Sequence, residues 1–318
     1  GKGHMVRELD ALGGAMGRLI DATGIHFRVL NESRGLAVRG PRAQADKVKY
    51  RIQARRLLEG TAGLRLRQGV ASALIWEEGT RGLKAVELLD GSRIPCDAVV
   101  LTTGTFLNGQ ILVGERRIEA GRAGEPASTH LGEQLRGLGL RHRRLKTGTS
   151  PRIDRGSIAF DRLQAQPGDA IPRPFSFFTD RILLPQVSCH ITFTTPETET
   201  LVRENLHRSS MYGGHVEGVG PRYCPSIEDK FVKFPDHDRH QIFVEPESLE
   251  TEEIYLSGLS TSMPLDVQER MVRSLPGFEG ADILRPGYAI EYDSFDPLQL
   301  RQDLSVEALG GVWFAGQI

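Results

Sequence analysis

Three cysteines among 318 residues are too few for a disulfide framework, and their odd number leaves at least one thiol free. A reducing cytoplasm is the expected setting. No apolar run approaches the roughly 18 residues of a membrane span. The opening Gly-Lys-Gly-His-Met lacks the apolar core of a signal peptide. Net charge is nearly absent as well. Forty Lys and Arg face 41 Asp and Glu, so affinity for a polyanion has to come from local clusters. Zinc spacing is missing: Cys189 adjoins His190, His237 and His240 lie three apart, and no second cysteine pair completes a site. Nor is there a G-x-G-x-x-G in a βαβ unit, the most telling mark of dinucleotide binding. The chain has no initiator methionine and stops within the strand-like run Trp313 to Ile318, so both ends are expected to be cut from a longer chain.

The remaining composition is ordinary for a globular protein and sufficient for one large or two medium domains. Residues 7–22 carry apolar side chains at helical spacing, interrupted by Gly13 and Gly14. A basic stretch from Ser33 to Lys49 leads into a helix expected around Val48 to Leu58. Leu64 to Trp76 and Gly82 to Leu89 read as strands, with Asp90-Gly91 as a turn signal. Ala98 to Leu101 is short and apolar, as in a strand buried on both faces. Proline and glycine crowd between Lys146 and Pro185, which places a domain crossing there. Beyond it, Gln186 to Thr194, His240 to Pro246 and Glu253 to Ser257 read as strands, and Glu197 to Ser209 as a helix. The chain re-enters a mixed core near Gly287 and ends on the strand Gly311 to Phe314. The pattern is an α/β nucleotide-binding fold with an inserted, strand-rich second domain. Residues 1–147 and 282–318 are expected to form an incomplete, discontinuous first domain, and 148–281 the insertion.

Four features bear on chemistry. In DAVVLTTGTF, Asp97 to Phe106, a strand runs into Thr103, Gly104 and Thr105, where open α/β sheets bind ligands. Glycine permits close backbone approach and the hydroxyls can donate to phosphate or ribityl oxygens; an ordinary strand-to-loop turn reads the same way. GGVWFAGQI, Gly311 to Ile318, is a second strand ending in small residues and one polar group. Two such ends, together with a strand holding Gly69-Val70-Ala71, form the pattern of two-dinucleotide-fold flavoproteins. In GGHVEGVGPRYCPSIEDKFVKF, Ser226 and Asp229 make a capping box, so a helix should start at Ser226. Cys224 just precedes it, near Arg222 and Lys230, a setting that favours the thiolate; a small buried filler is the alternative. Lastly, Arg34, Arg39, Arg42, Lys47 and Lys49 form one basic cluster. Arg141, His142, Arg143, Arg144, Lys146, Arg152 and Arg155 form another. Each is either a solvated face or a footprint for phosphates.

Taken together, GKGHMVRELDALGGAMGRLID, RVLNESRGLAVRGPRAQADKVKYR, LTTGTFLNGQILVG, LKTGTSPRID, GVGPRYCPSIEDK and the terminal FAGQI resemble the MnmG (GidA) family, in the family's order and over essentially the whole chain. The resemblance implies a glutathione-reductase-like flavoprotein fold with two dinucleotide-binding domains for FAD and NAD(P). It also implies an enzyme that uses FAD and NADH and takes a carbon from methylene-tetrahydrofolate. With a GTPase partner, MnmE, such an enzyme adds a carboxymethylaminomethyl or aminomethyl group to C5 of the wobble uridine of tRNA. Family members are typically homodimers. By position, Val70, Ser128 and Gln317 match FAD contacts, to which the strand-end reading adds Thr103, Gly104 and Thr105. The stretch assigned to NAD comprises Gly220, Pro221, Arg222, Tyr223, Cys224, Pro225, Ser226, Ile227, Glu228, Asp229, Lys230, Phe231, Val232, Lys233 and Phe234. Cys224 matches one of two cysteines the family needs for catalysis. The other cysteine and the family's N-terminal FAD loop fall upstream of Gly1, and the helical region that docks partner and tRNA would follow Ile318. On this view the Cys224 thiolate adds to uridine C6 so that C5 can attack an electrophilic carbon. Asp229 is read as the helix cap rather than a proton shuttle. Two other readings are a folate- and FAD-dependent tRNA uridine-5-methyltransferase, like TrmFO, and a non-catalytic tRNA- or nucleotide-binding fragment.

Overall fold

The computed structural model describes residues 2–79, 82–214, 216, 218, 220, 225–316 and 318. Glycine splits the first amphipathic run into two helices, α1 (Gly3–Ala11) and α2 (Met16–Thr23), with Gly13 at φ +87° between them. The buried Asp10 and Asp21 accept backbone N–H groups of Phe177, and of Phe175 and Ser176, so these helices are tied to a segment over 150 residues away. An antiparallel ribbon follows, β1 (Gly24–Leu30) with β2 (Gly40–Ala45). Next comes α3 (Lys47–Glu59), whose cap Asp46 accepts the N–H of Lys49. Asp46 also accepts from the Ser248 hydroxyl and the Leu249 N–H. Burial alone would raise its carboxyl, but these hydrogen bonds hold it below the usual range.

The strand expected from Leu64 begins only at Ala71; residues 64–70 run exposed and without regular structure. Here β3 (Ala71–Trp76), β4 (Leu83–Leu88) and β5 (Arg93–Pro95) form an antiparallel sheet, turned at Asp90-Gly91, where Gly91 takes φ +81°. The next strand, β6 (Val99–Leu101), departs from expectation. Leu101 is buried but Val100 is 58% exposed, so only one face of β6 is covered, and among the described residues β6 has a neighbour on one edge only. Then come β7 (Gln110–Val113), β8 (Arg116–Glu119), α4 (Thr129–Gly137) and β9 (His142–Thr149).

The strand-rich middle consists of β10 (Arg152–Asp154), β11 (Gln164–Gln166), β12 (Cys189–Phe193), α5 (Pro196–Glu204), α6 (Ile227–Lys233), β13 (Gln241–Pro246), β14 (Glu253–Ser257), α7 (Leu265–Arg273) and β15 (Ile283–Arg285). Its sheet has the order β11-β12-β13-β14-β10-β15, antiparallel throughout. Ile242, Val244, Ile254 and Leu256 from the strands share one core with Val202 of α5, Ile227 and Phe231 of α6, and Val267 and Met271 of α7. The chain returns through β16 (Tyr288–Phe295), which lies between β7 and β9 in the sheet β8-β7-β16-β9. Since β9 leads out to the middle unit and β16 leads back, paired from Tyr288↔Thr149 to Phe295↔His142, the two crossings lie side by side. The last strand, β17 (Val312–Phe314), pairs in parallel with β6, and both share a second core with Leu74, Leu107, Leu131 and Leu135. Among the described residues no helix is long and apolar enough to cross a membrane.

Candidate functional site

The parallel pairing of β6 with β17, Val99↔Val312 to Leu101↔Phe314, aims both strand ends the same way. Ala315 donates its N–H to the Leu101 carbonyl at 3.0 Å, so the Thr103–Thr105 turn begins beside the segment running to Gly316 and Ile318. Gln317 itself lies outside the described residues. The Thr103 hydroxyl oxygen is buried with no partner among the described residues. A buried hydroxyl without a partner is costly, which marks it as a group awaiting one. Gly104 takes φ +56° with open space where a Cβ would stand, while the Thr105 hydroxyl donates to the Gly121 carbonyl. Ser128 is drawn in by its N–H to the Phe106 carbonyl, 2.8 Å, and its hydroxyl makes no capping bond to α4. Val70 stands apart at the head of β3, 43% exposed, its carbonyl accepting from Leu89 N–H.

The second place is the start of α6. Ser226 and Asp229 form the capping box expected from sequence, each side chain accepting the other's backbone N–H. Pro221, Arg222, Tyr223 and Cys224 lie outside the described residues. On the upstream side, Glu291 accepts the Gly218 N–H, and a Cβ at Gly218 would stand 2.9 Å from that carboxylate oxygen and 3.0 Å from the Leu145 carbonyl carbon. A Cβ at Gly220 would stand 3.8 Å from Nζ of Lys146. Lys146 is 4% exposed, and its ammonium lies 3.9 Å from Asp229. Asp229 also pairs with Lys233 at 2.6 Å and accepts from the Tyr212 hydroxyl at 3.1 Å. Burial pushes the Asp229 carboxyl up, but Lys233, Lys146 and the Ser226 N–H outweigh it and hold it below the ordinary value. Burial, with Asp229 beside it, raises the Tyr212 phenol. Within the stretch assigned to NAD, Ile227 and Phe231 point into the core, and Lys230 donates to the Gly258 carbonyl. Glu228 is fully buried and accepts from Ser262 N–H and the Thr261 hydroxyl. Val232 and Phe234 are exposed.

The two basic clusters are largely consumed by internal pairing. Arg42 pairs with Glu245, Lys49 with Glu250 and Arg141 with Asp296. Arg144 reaches both Asp293 and Glu291. The residues that sequence reasoning missed are these acids. Asp293 is fully buried between Arg136 and Arg144. A signal for them existed: Arg144 and Lys146 alternate along β9, and Asp293 and Glu291 stand directly opposite on β16. Among the described residues no group of three or more His, Cys, Asp or Glu is placed to hold a metal ion.

Strand ends that meet in parallel beside a strand-rich, antiparallel middle unit make a mixed α/β fold, with the joined ends as its candidate ligand site. Comparison narrows this: a family model described as glucose inhibited division protein A matches residues 1–318, and the chain belongs to that family. It is 53% identical, over all of its length, to the tRNA uridine 5-carboxymethylaminomethyl modification enzyme MnmG of Granulibacter bethesdensis, covering 51% of that protein. To the protein of the same name from Pelobacter propionicus it is 51% identical over all of its length, covering 50%. The solved structure of Aquifex aeolicus GidA, in its form I crystal, superposes with a TM-score of 0.91 at 47% identity, covering 98% of this chain and 53% of that one. The chain thus spans about half the length of the curated relatives it matches.

Proposed function

We propose that this chain belongs to an FAD-dependent enzyme that modifies C5 of the wobble uridine in tRNA, adding a carboxymethylaminomethyl or aminomethyl group. The observation that carries the reading is the match of all of this chain to about half of each of the proteins named for that reaction. The partnerless Thr103 hydroxyl at the joined strand ends supports a place for the flavin there. Thr103, Gly104, Thr105, Ser128 and Gln317 would hold it, with Val70, which stands apart at the head of β3, reaching it from there. NADH as reductant, methylene-tetrahydrofolate as carbon donor, the GTPase MnmE as partner, a homodimer and a cytoplasmic location complete the proposal. So does the division into 1–147 with 282–318 for FAD and 148–281 for NAD and substrate.

When bound, the flavin supplies the redox chemistry and folate the one-carbon unit. The chain's own contribution centres on Cys224. Its thiolate adds to uridine C6, which turns C5 into a carbon nucleophile; after C5 has formed its new bond and lost its proton, the sulfur leaves again. Asp229 serves this step as a structural anchor on the downstream side of Cys224: it caps α6 and pairs with Lys146. Glu291 fixes the upstream flank through Gly218.

The test uses the full-length protein with tRNA, NADH, methylene-tetrahydrofolate and the GTPase, with modified nucleosides read by mass spectrometry. Cys224→Ser is expected to abolish modification while leaving the flavin band near roughly 450 nm intact. Wild-type levels of modified nucleoside from that variant would remove Cys224 from the mechanism, and a colourless wild-type protein would remove the flavin.

A further inference from the structure

A groove of about 920 Å³ opens where α3, the 121–125 turn, β10 and the 284–288 segment meet. Five cations from four separate segments line it: Lys47, Arg51, Arg122, Arg152 and Arg285. Against them stand three carboxylates, Glu125 in the wall and Glu247 and Glu253 behind it, paired with Arg122, with Lys47 and Arg152, and with Arg285. The groove therefore carries a surplus of positive charge in a chain whose net charge is −1. Arg51 is exposed and, among the described residues, pairs with no carboxylate. Between the cations lie two half-buried aromatic rings, Tyr50 and Tyr288, on an apolar floor that includes Val48 and Leu284.

The walls are held in place. Gln268 takes both backbone groups of Gly287, at 2.7 and 2.9 Å. The Tyr288 hydroxyl accepts the Ala123 N–H, and the turn is closed by the Gly121 N–H donating to the Glu125 carbonyl and the Glu125 N–H to the Arg122 carbonyl. A pyrophosphate would want the free N–H groups of a helix start. Among the described residues α3 is the helix that begins at this groove, and two of its first N–H groups are already taken, Lys47's by the Glu247 carbonyl and Lys49's by Asp46. What the groove offers is dispersed guanidinium and ammonium groups with flat rings between them. That combination suits a sugar-phosphate strand whose bases are out of their stack, since every base has a face to stack and each phosphate a charge to neutralise. A duplex keeps its bases stacked and out of reach of the tyrosines.

We propose that this groove receives a single-stranded segment of RNA, with phosphates against Arg51, Lys47 and Arg285 and an unstacked base against Tyr50 or Tyr288. That the RNA is a tRNA anticodon loop rests on the function proposed above; the groove's chemistry does not.

The test is fluorescence anisotropy with a labelled anticodon stem-loop RNA, read across a salt series, alongside a fully paired RNA duplex. It needs neither flavin nor turnover, so it can fail while the modification assay succeeds, and the reverse. Arg51→Glu and Arg285→Glu are each expected to weaken stem-loop binding by about tenfold and to lower the salt slope by about one. Tyr50→Leu is expected to weaken it severalfold without altering the slope. Arg162→Glu, which removes a cation paired with Glu279 outside the groove, should bind as wild type, and all variants should melt alike. The proposal is overturned if the groove variants bind as wild type, if the stem-loop does not bind, if the duplex binds equally well, or if excess FAD, which also offers phosphates and a flat ring, displaces the RNA competitively.

Discussion

Within the six-stranded sheet, β13 and β14 have a strand on each side, and α5, α6 and α7 share one core with them. The parallel pair β6 and β17 is built otherwise. Among the described residues β6 has one neighbour, Val100 is 58% exposed, and the run 64–70 before β3 is exposed along its whole length. Both regions draw on the same short, branched apolar strands. The difference is that every strand of the first region finds its partners within 152–285, whereas the second joins strands over 200 residues apart and buries them on fewer sides. Burial and stability follow from how many sides of a strand are covered, and a strand's own composition does not reveal that number.

The sharpest way to break this comparison is a matched pair of truncations. Phe278 is fully buried in the core of the strand-rich unit, and Phe314 of β17 is 5% exposed in the other core, its ring 5.4 Å from that of Phe295. Phe278→Ala is expected to cost about 3–5 kcal/mol, the usual range for a buried aromatic. Phe314→Ala should cost less, because a thinner core collapses more readily around the cavity. Urea unfolding of the two variants decides it, and equal losses would mean that the two regions are closed to the same degree.

The next effect lies on the connection between the regions. Asp293 of β16 accepts from Arg136 of α4, from Arg144 of β9 and from Asn108. Burial would raise its carboxyl, but Arg136, Arg144 and Asn108 together hold it below the ordinary value. A depressed carboxyl stabilises the fold fully above its unfolded pKa, and that contribution is lost as pH falls through the lower folded value. Asp293→Ala is expected to cost about 3 kcal/mol at neutral pH, since it leaves two guanidinium groups facing a hole. Asp293→Asn should flatten the acid limb of stability against pH. An unchanged acid limb in Asp293→Asn would assign acid sensitivity to other carboxylates.

What was legible in the sequence was local. The Ser226 cap, the break between α1 and α2 at Gly13, the Asp90-Gly91 turn and the apolar runs of β13 and β14 all follow from chemistry within a few residues. What was not legible required partners from afar. The Leu64–Gly69 run has strand composition but meets no strand, and Val100 sits in an apolar run but stays exposed. The charge clusters read as two patches, yet the fold neutralises most of them and gathers Lys47 from the first and Arg152 from the second into one groove. For the strand ends, sequence supplied two small-residue turns 200 residues apart. Only the parallel register of β6 with β17 sets them side by side.

The smallest effect tests the uncovered face of β6. Val100→Thr keeps the branched shape and the strand preference of residue 100 and adds a hydroxyl. In a strand buried on both faces such a swap is costly, because the hydroxyl is desolvated without a partner. At a position 58% exposed, the hydroxyl remains in water, so the change in unfolding free energy should stay within about 0.5 kcal/mol. A loss of 1 kcal/mol or more would mean that something covers β6 in solution. Repeating the measurement over a tenfold range of protein concentration would then identify it: a penalty that grows with concentration points to a second copy of the chain on that face, and a constant penalty to cover supplied by the chain itself.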